Sequence, residues 1–111
     1  MSQQSSLQSG RNIEAIRRDV DAIDRQIIAL FKKRLALSDE AILFKTSVED
    51  ITNPDHTASL LKRVDRCATE LEVPAELVRR VYDGVIAFVL PRHLAGFAEL
   101  QRNGAPSKDQ S

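Results

Sequence analysis

Between Asn12 and Lys45 the chain carries neither glycine nor proline. Over that stretch Ile13, Ile16, Val20, Ile23, Ile27, Leu30, Leu37, Ala41 and Phe44 form a seam built on steps of three and four. That period predicts one amphipathic α-helix from about Asn12 to Lys45. Asn12 is placed to cap it, with Glu14 in the first turn. At 1.5 Å per residue such a rod spans about 50 Å. A compact domain of this size has a radius of gyration of about 13 Å. A helix so long outruns the rest of its own chain, so a partner subunit lying along it is expected.

The rest of the chain reads as two more helices. SVEDITNPDH, residues 47–56, is the first break, and Asn53 followed by Pro54 is the signature of a cap and a first helical residue. The second helix is expected over 54–71, with Leu60, Leu61, Val64, Cys67, Ala68 and Leu71 on its buried face. EVP at 72–74 is the second break, and a third helix starts at Pro74. Its apolar face is Leu77, Val78, Val81, Tyr82, Val85, Ile86 and Val89. Pro91 removes one backbone hydrogen bond and crowds the Ala87 carbonyl, which costs about 3 kcal/mol in a regular helix. A kink is expected there, because His93, Leu94 and Phe97 continue the pattern. The fold class is all-α, with three helices and no strand. Polar, Ser/Gln-rich residues 1–10 and the polar end at 103–111 are expected to be disordered tails around a helical domain at 11–102.

Composition narrows the function. The 111 residues carry 42% apolar and 29% charged side chains with zero formal net charge, a balance that gives no support for nucleic-acid binding. No apolar run approaches the ~18 residues of a membrane span. One cysteine, Cys67, excludes an internal disulfide and fits a reducing compartment. The start, MSQQSSLQSG, has no basic region followed by an apolar one, so no secretory signal is read and a cytoplasmic location is expected. Two scattered histidines and one cysteine make no metal set, and no Gly-rich phosphate loop is present. Ser38 has no histidine near it in sequence and reads as a helix-surface or pocket-lining residue. Cys67, Tyr82 and the four phenylalanines read as core.

The seam of the first helix holds two cations. Arg34 falls where the apolar step calls for a leucine, and Lys45 follows eleven residues later. At 100° per residue they differ by about 20° in direction and lie about 16 Å apart along the axis. Long side chains at that spacing can converge on one small ligand. Arg17 is about 25 Å from Arg34 along the same rod, so it reaches that ligand only from an antiparallel partner chain. Seam cations also snorkel into water, set register, or pair with carboxylates such as Asp21, Asp24 and Glu40. Three cations gathered in one buried place call for an anionic ligand, most simply a dicarboxylate.

IRRDVDAIDRQIIALFKKRLALSDEAILFK, residues 16–45, resembles the all-α (AroQ) class of chorismate mutases and its relative, isochorismate pyruvate lyase. Arg17, Asp24, Arg34 and Lys45 fall in register with the family pattern, and the likeness extends over about residues 12–100. The resemblance implies an intertwined antiparallel homodimer in which each site takes one arginine from the opposite subunit. It implies that Arg17 of one chain and Arg34 of the other clamp the two substrate carboxylates. Lys45 then binds a carboxylate and the ether oxygen of the enolpyruvyl group. The implied reaction is the [3,3] rearrangement of chorismate, or of a close analogue such as 4-amino-4-deoxychorismate, to prephenate or its analogue. It uses no cofactor and no metal.

Departures from the pattern fall on the residues that would read the ring. The third-helix donor of the family, usually Gln, is His93 here; His56 and Thr57 stand where the family usually has Arg and Glu. Asn53 and Thr57 are uncharged substitutes for groups that contact the ring hydroxyl. The short loop in FKTSVEDI, residues 44–51, leans toward the lyase branch, which releases pyruvate and forms salicylate from isochorismate. A non-catalytic helical dimer acting in regulation is the alternative of another class. Aromatic amino-acid biosynthesis and secondary metabolism both remain open as pathways.

Overall fold

The computed structural model describes residues 11–103. The expected tails at 1–10 and 104–111 lie outside the described residues, while Asn103 is the last residue of the final helix. Among the described residues there is no strand. The elements are α1 (Ile13–Ala41), a 3-10 turn (Ile42–Phe44), α2 (Val48–Thr52), α3 (Pro54–Glu70) and α4 (Ala75–Asn103). The three long helices are those expected from periodicity. The chain divides into two compact units, Met1–Ala36 and Leu37–Ser111.

The first unit is helical rod. Asn12 caps it, its Oδ1 accepting from the Ala15 backbone N–H at 2.9 Å. No side chain of α1 is buried, and the apolar seam stands open: Ile23 is 53% exposed and Leu30 61%.

The first helix ends at Ala41, four residues before the expected Lys45. The cause lies just downstream. Ser47 is extended, and its Oγ accepts from the Asp50 backbone N–H at 3.1 Å, which starts α2. A new helix start at 47 forces the old one to stop. The 3-10 turn closes on a hydrogen bond from the Lys45 N–H to the Ile42 carbonyl at 3.0 Å, and Lys45 itself is extended. The segment read as a plain break thus contains a short helix.

The second unit has its core where this turn meets α4. Ile42, Ile51 and Phe97 are buried together, and Leu90, Leu94 and Leu100 pack against them. Ala68 of α3 and Val89 of α4 are the other buried apolar side chains. Burial is otherwise thinner than expected. Leu71 is 68% exposed, Cys67 is exposed rather than core, and Phe44 is 84% exposed. Phe88 is also exposed, so of the four phenylalanines only Phe97 is buried. Periodicity names the apolar side of a helix; covering that side takes a second surface.

Asn53 caps α3, accepting from the Asp55 N–H at 2.8 Å with Pro54 just inside. At the other end Val73 N–H donates to the Ala68 carbonyl and Glu72 N–H to that of Thr69, a Schellman closure. It puts Glu72 in the left-handed region at φ 57°, where a side chain is strained. α4 runs unbroken through Pro91, so no restart occurs there.

A salt bridge ties α1 to α4. Arg92 Nε donates to Asp39 Oδ1 at 3.1 Å and a terminal nitrogen to Oδ2 at 2.9 Å. The hydrogen bonds from Arg92 hold the Asp39 carboxyl below its ordinary range; burial opposes them, and the charges of Arg92 and then His93 lower it by smaller amounts. A lowered folded pKa means that the stabilisation is complete above the unfolded carboxyl's value, about 3.9, and is lost as pH falls through the lower folded value.

Two outcomes follow. Glu72→Gly should raise stability by about 1 kcal/mol, read as a higher thermal midpoint. Thermal midpoints of Arg92→Gln should fall less steeply than wild type as the pH drops below about 4.

Candidate active site

The residues singled out by the seam and the resemblance divide between the two units. Arg17 and Arg34 are in the first; Lys45, Asn53, His56, Thr57 and His93 are in the second. Arg17 is exposed, and Arg34 is half-buried although every apolar neighbour on the seam from Val20 to Leu30 is exposed. Lys45 is half-buried as well. It makes no ion pair with any described residue, so its charge is available to an anion. Because Lys45 is extended and outside α1, its direction is set by the turn at 42–44. The eleven-residue helical relation to Arg34 therefore does not describe it.

The stretch from Lys45 to Thr57 folds onto one carboxylate. Asp50 Oδ2 accepts from the Thr46 backbone N–H at 3.3 Å, and Oδ1 lies 3.8 Å from His56 Nε2. The residue after Lys45 and the first turn of α3 are thereby brought to the same side chain. Asp50 escaped sequence reasoning. The signal that finds it is Ser47-x-x-Asp50, a helix-start spacing inside the stretch taken as a break. Asn53 is engaged as the α3 cap through its Oδ1, which leaves its amide N–H groups for a ligand. Thr57 is half-buried one residue beyond His56.

His93 is half-buried on α4, one turn before Phe97 of the core. Its charge acts on Asp39. Ile51 of α2 and Phe97 of α4 share the same core, so the Asp50–His56 group and the His93 turn hang on one set of apolar contacts. A cavity of about 320 Å³ opens beside Asp39 and Arg92, walled by Ile42, Leu43, Gly96 and Leu100. None of the seven anticipated residues lines it. Among the described residues no three of His, Cys, Asp and Glu gather as a metal site. Among the described residues no helix is long and apolar enough to cross a membrane.

Within the second unit, a cationic lysine, a neutral amide and two histidines are groups that suit an acidic, oxygen-rich small molecule. The family described as chorismate mutase type II matches residues 16–92. The matched stretch takes in Arg17, Arg34, Lys45, Asn53, His56 and Thr57 and ends one residue before His93. No curated protein matches the chain. With more than half its length inside the family's bounds, the seam of cations on its first helix has a plain identity: this chain belongs to the type II chorismate mutases.

Proposed function

We propose that the protein is a cofactor-free mutase that converts chorismate, or an analogue differing in one ring substituent, by a concerted [3,3] shift. The observation that carries this reading is the family match across the first helix and Lys45, with Arg34 and Lys45 both half-buried cations. In the reaction a C–O bond breaks as a C–C bond forms, and negative charge grows on the departing ether oxygen. Acceleration comes from holding the compact conformer and from fixed donors at that oxygen. Arg34 holds a carboxylate by its planar fork. Lys45 donates to the ether oxygen and a carboxylate, and His93 supplies the second donor from α4.

Arg17 completes the clamp from a second copy of the chain. The open seam of α1 supports such a partner, since its half-exposed isoleucines and leucines form a continuous apolar stripe. The substrate's ring is read by Asn53, His56 and Thr57. Replacing charged groups by these weaker ones shifts preference among chorismate, isochorismate and the 4-amino analogue. Release of pyruvate from isochorismate is the second reading, supported by the short stretch between Phe44 and Ile51. A regulatory, non-catalytic dimer is the third, and the retained cations speak against it.

Arg34→Ala and Lys45→Ala should each lower turnover about a hundredfold or more while helical circular dichroism is preserved. Near-normal rates in either variant would sink the reading. Assayed against the three enol ether diacids, the protein should form prephenate or its amino analogue; pyruvate from isochorismate alone would instead assign the lyase. Activity should depend on pH through the His93 imidazole, and lose that dependence in His93→Gln. Sedimentation should give the mass of a dimer, and a monomer that turns over substrate would remove Arg17 from the site.

A further inference from the structure

We propose that Asp39 is a positioning residue for His93, acting through the two-pronged grip of its carboxylate on Arg92. The inference rests on the reading of His93 as a donor to substrate. Arg92 immediately precedes His93, and both follow Pro91. Proline lacks an N–H, so the helix has one fewer internal hydrogen bond at this turn. The two bonds to Asp39, at 3.1 and 2.9 Å, supply an outside tie just there. A fork gripping both carboxylate oxygens fixes orientation as well as distance.

A second contact holds the same face of α4. Gly96 lies one turn beyond Arg92, and a Cβ at Gly96 would stand 3.4 Å from Ile42 Cδ1. Asp39 and Ile42 are three residues apart on one element edge, and Arg92 and Gly96 are four apart on the other. The ion pair and the close approach of Ile42 to the backbone at Gly96 together limit the rotation of α4 about its own axis. His93, one residue from Arg92, is carried to a set direction by that rotation. The pair is nearly half exposed on both sides, with side chains 45% and 42% accessible, so it adds little to stability. Its geometry serves placement. Asp39 also acts on His93 by charge, as the lowering of its own carboxyl by His93 shows.

The test is a double-variant cycle read in two ways. Asp39→Asn and Arg92→Gln each lower kcat about tenfold with KM within about twofold, and the double variant is no slower than either single one. Asp39→Glu, which keeps a carboxylate, recovers part of the loss. In the substrate-free protein the His93 ring resonances move in both single variants. Unmoved resonances with helical content preserved overturn the proposal whatever the activity does. Wild-type kcat in Asp39→Asn overturns it as well. If the wild-type protein turns over no chorismate-like diacid, moved resonances still support the positioning and only the functional reading falls.

Discussion

The packing of Ile42 and Ile51 against Phe97 is the constraint on which the second unit depends. It is a small core, three buried side chains with three leucines around them. Yet it fixes the end of α1, the short α2 and the middle of α4 as one body. Each candidate residue of that unit is attached within a few positions of it. Lys45 is three residues past Ile42, Asp50 adjoins Ile51, and His93 is one turn before Phe97. A small apolar cluster thereby holds polar groups that contribute nothing to its own cohesion. Truncating its largest member removes contacts from all three elements at once, which is the situation in which loss of a core aromatic is most costly.

A positive charge on an apolar helix face is the other half of the design. It is unfavourable unless an anion or water meets it. Arg34 and Lys45 are both half-buried, and the proposed function assigns them to the carboxylates of a chorismate-like substrate. In the proposed reading, His56 and Thr57 stand among the groups that face the ring, apart from the cations assigned to the carboxylates. That proposal separates binding of the carboxylates from reading of the ring.

Much of this was legible in the sequence because local rules suffice for it. The caps at Asn12 and Asn53 each need only a side-chain oxygen and a free N–H two or three residues on. The long helices follow from spacing, and the seam cations are visible as interruptions of it. The end of α1 was not legible, since the apolar step runs on through Phe44 while the start of α2 at Ser47 overrides it. Cys67 and Leu71 sit on the periodic face expected over 54–71, at positions that nothing in their own unit covers, so their periodicity promised a core that is not there. Asp39 with Arg92, fifty-three residues apart, is a tertiary pairing with no local signature.

The 3-10 turn at 42–44 places one side chain inward and two outward. Ile42 anchors it, while Leu43 and Phe44 stand exposed. Mutational drift at 43 and 44 is therefore uncoupled from the anchor. This short segment, immediately before Lys45, can accept new side chains generation after generation without unfolding the unit, and it is where a descendant enzyme would acquire a different neighbour or a different guest.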